Sequence, residues 1–156
     1  MKTDVYRDAM ARLEQGDVTE ARRLLEEAWR ESPDSVEVMH GLALALDMAG
    51  ERTRARELLE RAHARAPTEP DPACDLAMLF LEHEQDTRAE WVLAPALEAH
   101  PWHPRLNLFM AMALAKKDTE RARGYASNVL QDTDPELRQQ AEALLRVLDA
   151  NTDRSR

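Results

Sequence analysis

Two Glu-x-x-His pairs, Glu37/His40 and Glu60/His63, have a spacing that could hold a metal. Carboxylate-bridged di-iron sites aim two such pairs, with further glutamates, into one helical bundle. His83-Glu84 lacks the second histidine of a zinc-protease helix, because Thr87 stands in its place. A Cys–His nucleophile from His40 and Cys74 would need a third orienting group and an oxyanion donor, and neither is apparent. His100-Pro101-Trp102-His103-Pro104 sets two histidines three apart in a stiff turn, which is a poor ligand signal by itself. No glycine-rich phosphate loop or nucleophile elbow occurs.

Any convergence of these groups depends on the elements that carry them. The chain has 156 residues, which predicts one domain able to bury roughly two-thirds of its unfolded surface. Hydrophobic residues make up 44% but aromatics only 4%, with few glycines and no β-rich run, so the composition predicts helices packed on small residues. The net charge of −9 argues against nucleic acid or an anionic membrane as partner. A single cysteine, Cys74, rules out an intramolecular disulfide and suits a reducing compartment. No secretory leader and no membrane-spanning apolar run is evident, so the expectation is a cytoplasmic protein.

The strongest pattern is a set of columns. Ala21, Ala55 and Ala89 recur at one interval, as do Leu25, Leu59 and Leu93, then Ala28, Ala62 and Ala96, and Pro33, Pro67 and Pro101. The interval is the ~34-residue period of a helix–turn–helix repeat. Anchored on the prolines, the repeats run about 4–33, 36–67, 70–101 and 104–131. Each first helix carries a small residue, Ala9, Ala43, Ala77 or Ala111. The fourth repeat slips by a residue, with Ala122, Ala126 and Val129 after a shorter Lys116–Thr119 turn. Asp17 with Glu20, Asp34 with Glu37, and Thr68 with Asp71 read as N-cap pairs. Pro95 predicts a kink or opening near Leu93–Pro95, with Trp91 covering it, a binding role for Trp91 being the alternative. Trp102 is expected to pack on the next helix, the alternative being a contact residue.

Asp134-Pro135 opens a ninth helix over 135–149. Its stripe of Leu137, Ala141, Leu144 and Leu148 would cover the end of the stack, leaving residues 150–156 as a frayed tail. At the other end, Asp8 and Arg12 stand where later repeats have apolar residues, which predicts a polar first face.

These columns resemble the tetratricopeptide repeat family: a small residue in the first helix, Ala and a larger apolar residue in the second, and a closing proline. The turn glycine is met by Gly16 and Gly50 and replaced by Glu84. The resemblance covers residues 4–131 and implies an all-α right-handed superhelix of about four hairpins plus a capping helix, the whole of 1–150 forming one domain. It also implies which columns line the concave wall. One reads Tyr6, His40, Cys74, Leu108; the next reads Met10, Leu44, Met78, Met112. Leu13, Met48, Leu81 and Phe109 neighbour them. Carboxylates edge this stripe at Glu14, Glu37, Asp47, Asp71, Asp75 and Glu82, with bases only at Arg105, Lys116 and Lys117. In that register the two Glu-x-x-His pairs lie on different layers, so neither a metal nor another cofactor is expected.

A methionine-lined groove with an acidic rim predicts a protein partner whose basic, amphipathic segment supplies apolar anchors. The competing reading is that these side chains pack between adjacent first helices. The co-chaperone branch of the family holds acidic tails with Lys, Asn and Arg. Here Tyr6, Met10, Gly41, Cys74 and Met78 fill those places, so acidic tails should not bind. The expected function is non-enzymatic recognition, as a chaperone or adaptor that is monomeric or weakly dimeric. A scaffold assembling through its ends or convex face is the alternative. Translocator chaperones of bacterial type III secretion resemble the chain in size and architecture alone, and an enzyme is the remotest reading.

Overall fold

The computed structural model describes residues 2–155; Met1 and Arg156, the last residue of the expected tail, lie outside the described residues. Among the described residues, all regular structure is α-helical. The chain divides into two compact units, Met1–Pro67 and Thr68–Arg156. The first holds α1 (Lys2–Glu14), α2 (Val18–Glu31), α3 (Val36–Met48) and α4 (Arg52–Arg65). The second holds α5 (Pro70–Glu82), α6 (Asp86–Ala99), α7 (Pro104–Leu114), α8 (Thr119–Val129) and α9 (Pro135–Arg154). Hairpins α1/α2, α3/α4, α5/α6 and α7/α8 reproduce the expected pairing.

The repeated columns are the core. In the first unit Ala9, Ala21, Leu25, Ala43, Ala55, Leu59 and Ala62 are buried; in the second, Ala77, Ala89, Leu93, Ala96, Ala111, Ala122, Ala126 and Val129 are. Alanine at the crossing points lets paired helices approach closely, and the leucines fill the space beside them.

The closing prolines explain where second helices stop. A residue before proline is pushed out of the helical region. Ser32, Ala66 and His100 accordingly share one geometry, φ −138, −137 and −132° with ψ 70, 71 and 70°. The turns inside the hairpins share another. Gly16 and Gly50 adopt φ 81 and 85°, and Glu84 is forced to φ 57°. The closing bonds match: Asp17 N–H donates to Arg12 O, Glu51 N–H to Leu46 O, and Gln85 N–H to Phe80 O.

Several local expectations are corrected. Asp17 and Asp134 cap α2 and α9 as expected. Ser35, not Asp34, caps α3, because the helix begins at Val36; Asp34 instead accepts from Arg65 Nη2 at 2.6 Å. α5 begins after Glu69 without a side-chain cap, and Pro70 takes the first turn, where no donor is needed. α6 runs unbroken through Pro95, held by buried Val92, Leu93, Ala96 and Leu97, and no local opening forms there. α9 continues to Arg154 instead of fraying after 149. Arg123 on α8 explains this: it bonds Asp149 Oδ1 and, at 3.1 Å, Thr152 Oγ1.

Left-handed backbone costs a side-chain-bearing residue about 1 kcal/mol relative to glycine. Glu84 forms only an exposed ion pair with Lys116, which contributes little. Glu84→Gly should therefore raise the urea midpoint, and an unchanged or lower midpoint would contradict this account of the turn.

Candidate functional site

In the first unit, α1 and α3 present the predicted stripe. Gly41 is buried, and a Cβ there would lie 2.9 Å from Tyr6 Cε2, 3.0 Å from Leu25 Cδ2 and 3.4 Å from Met10 Sδ. Glycine at 41 is what lets Tyr6 and Met10 close down on α3. Both are half-buried, as are His40 and Leu44, while Met48 stays 54% exposed. Leu13 is core. Part of this stripe is thus helix packing and part is open surface. Glu14, Glu37 and Asp47 are exposed beside it, and Arg52 lies 3.8 Å from Asp47.

In the second unit, depth sorts the predicted residues more sharply. Met78, Leu81 and Met112 are half-buried and reach solvent. Cys74, Leu108 and Phe109 are buried and belong to the core between α5 and α7. Burial pushes the Cys74 thiol up to about 12, with Arg105 opposing and the Asp75 and Asp71 carboxylates reinforcing the shift. A thiol held this firmly protonated is not a nucleophile near neutral pH.

Arg105 recasts the acidic rim. Its Nη2 donates to Asp75 Oδ1 at 2.9 Å, its Nη1 lies 3.8 Å from Asp71 Oδ1, and its guanidinium stands 5.5 Å from the Phe109 ring centroid. Burial lowers the Arg105 pKa, but the Asp75 bond and the surrounding negative groups outweigh it, and the net shift is upward. Asp75 is therefore committed within the fold, while Asp71 and Glu82 remain exposed. The fourth repeat's lysines are committed as well: Lys116 to Glu84 and Asp86, Lys117 to Glu90. The period itself carried the clue, because Arg105 sits one repeat after Asp71.

The sequence reading missed a second surface in this unit. On the face of the second helices, α6, the turn after it and α8 bound a cleft of about 490 Å³. Leu97, Pro101, Trp102, Met110, Tyr125 and Asn128 line it. Trp102 does not pack on α7; it is 78% exposed. Trp91 does not cover a distorted turn either, and is 73% exposed on α6. Buried Asn107 organises the turn. Its Nδ2 donates to the carbonyls of Pro101 and His103, each at 2.9 Å, and its Oδ1 accepts from Asn128 Nδ2. Exposed tryptophan in a helical sequence is a signal that the repeat columns alone do not carry.

The remaining histidines take structural places. His103 caps α7, its Nδ1 accepting from Leu106 N–H. Burial lowers the pKa of both His103 and His63. Among the described residues no three His, Cys, Asp or Glu side chains are arranged to hold a metal ion.

With this geometry in hand, known proteins give a consistent comparison. The sequence model of the tetratricopeptide repeat family matches residues 12–79. No curated protein matches the chain by sequence. Among solved structures, a MamA fragment (41-end) from Desulfovibrio magneticus RS-1 is similar at TM-score 0.77 and 20% identity, covering 97% of this chain and 86% of that one. PilF of Pseudomonas aeruginosa reaches TM-score 0.80 at 18% identity, covering 93% and 68%. A thermophilic TPR protein of Thermus thermophilus reaches 0.79 at 20%, covering 95% and 83%. Residues 12–79 thus match the tetratricopeptide repeat by sequence, and the chain shares the fold of these solved structures. That fold suggests a protein–protein interaction module. Among the described residues no helix is long and apolar enough to cross a membrane.

Two outcomes follow from these environments. Cys74 should resist an aromatic disulfide reagent at pH 8 in the native protein and react only after denaturation; fast native labelling would contradict its burial. His103 is neutral in the fold, so the unfolded chain takes up its proton first as pH falls. Stability is then complete above the ordinary value of 6.5 and declines as pH drops through the lowered folded value. His103→Asn keeps a capping acceptor and should shrink the loss of urea midpoint between pH 7.5 and pH 5; His63, with the same sign, leaves a remainder. An undiminished loss would contradict the His103 assignment.

Proposed function

We propose that the faces of the first helices recognise a partner protein, taking apolar anchors of a basic, amphipathic segment, and that the protein acts as a non-enzymatic adaptor or chaperone. The observation that supports this is how the methionines sort. Met39 and Met110 are buried, whereas Met10, Met78 and Met112 are half-buried and Met48 is exposed, all four on first helices or at their ends. Flexible, polarizable side chains left at a surface suit variable apolar partners. In the first unit this face is α1 and α3, with Met10, Leu44 and Met48. In the second it is α5 and α7, with Met78, Leu81 and Met112, and with Asp71 and Glu82 rather than Asp75 supplying negative charge. Tyr6 and His40 flank the first set, while Cys74, Leu108 and Phe109 support the second from beneath. The cytoplasm, where a free cysteine persists, is the compartment this reading favours.

A labelled Leu/Lys amphipathic peptide tests the idea directly. It should bind saturably, and a Leu/Glu counterpart should not. Met78→Glu with Met112→Glu should weaken binding at least about tenfold, roughly 1.4 kcal/mol, while helicity by circular dichroism stays intact. Undiminished binding by the double variant would move recognition away from these faces. Stable self-association in sedimentation, together with no peptide binding, would favour a scaffold instead.

A further inference from the structure

The cleft on the second-helix face of the second unit is large enough to hold a ligand. Its volume, about 490 Å³, falls in the roughly 300–1,000 Å³ range of ligand sites. Leu97 and Met110 are its buried apolar lining, and Trp102 and Tyr125 add two rings. Trp102 contributes little to folding at 78% exposure. Yet the backbone on either side of it is fixed, because Asn107 grips the carbonyls of Pro101 and His103. Asn107 is the one buried polar side chain among the described residues, so an inward polar group is spent on holding that turn. A ring displayed from a fixed backbone has less freedom to lose on binding a ligand.

The charges narrow the ligand. Glu90 is matched by Lys117 and lies 3.8 Å from Arg121 Nη1. Glu98, also lining the cleft, has no partner among the described residues. Glu98 is therefore the carboxylate of the lining left without a protein cation, and it can meet a basic group of a ligand. Trp91 extends the surface: Trp91, Ala94 and Glu98 stand i, i+3, i+7 on α6, one exposed stripe. Seven helical steps cover about 10 Å, which some three residues of polyproline helix span at ~3.1 Å each.

We propose that this cleft binds an extended, proline-rich segment of a partner protein with a Lys or Arg beside its prolines. Prolyl rings stack on Trp102 and Tyr125. The indole N–H and phenol O–H donate to carbonyls that a polyproline helix leaves unpaired, and the basic side chain meets Glu98. Such a segment is already ordered, so a small cleft suffices. An amphipathic helix would need a longer apolar trough than two rings and two aliphatic side chains offer. This site is separate from the first-helix faces, and Met78→Glu with Met112→Glu should leave it intact.

The test uses the full chain and a short oligoproline peptide flanked by arginine. Titration should shift the Trp102 indole N–H resonance saturably, leaving that of Trp29 in place. Trp102→Ala and, independently, Tyr125→Leu should each weaken binding at least about tenfold, with unchanged circular dichroism. Glu98→Lys should weaken the arginine-flanked peptide and spare a glutamine-flanked one. No saturable shift, or binding that both ring variants tolerate, overturns the proposal. A concentration-dependent dimer that Trp102→Ala abolishes, with no peptide binding, would overturn it in favour of a second copy of this chain.

Discussion

The fold rests on buried alanines on both helices of every hairpin. Ala9 and Ala21 are buried in the first, Ala43 and Ala55 in the second, Ala77 and Ala89 in the third, and Ala111 and Ala122 in the fourth, and the two helices of each hairpin pack on each other. Small side chains there let the helices approach closely. Leu25, Leu59 and Leu93 then fill the remaining space, and Ala126 takes that place in the fourth hairpin. Because packing is assigned to so few columns, the others are released from it. Methionine, tryptophan and carboxylate collect in those released positions.

Released does not mean solvent-facing. Arg105 shows the difference: it draws in Asp75, stands over the Phe109 ring and acts electrostatically on Cys74, so that part of the apparent rim is paired within the fold. Asn107 shows the converse. It spends a buried amide on a surface turn and so keeps Trp102 in solvent. One device conceals charge and the other displays an aromatic ring, and both stand on α7 two residues apart.

The hairpins, their turns and the capping helix were legible because the columns repeat at short range and each signal is local. The pre-proline residues Ser32, Ala66 and His100 stop their helices for a reason visible in two adjacent residues. What failed involves distant partners. Asp34 looks like a cap but accepts from Arg65 instead, and α9 looks finished at 149 until Arg123 reaches Thr152. The site was half legible. Met78 and Met112, in one column, reach solvent, whereas Cys74 and Leu108 of the adjacent column, and Phe109 beside them, are buried. The sequence pattern names the columns; the depth of each is set by packing between α5 and α7. The division into two compact units had no signal in composition.

The central claim is that first-helix faces do the recognising, and the methionine methyl groups report on it. Titrating a Leu/Lys amphipathic peptide into methyl-labelled protein should move the resonances of Met10, Met48, Met78 and Met112 and leave buried Met39 and Met110 in place. Shifts confined to Met110, or none at all at saturating peptide, would contradict the account.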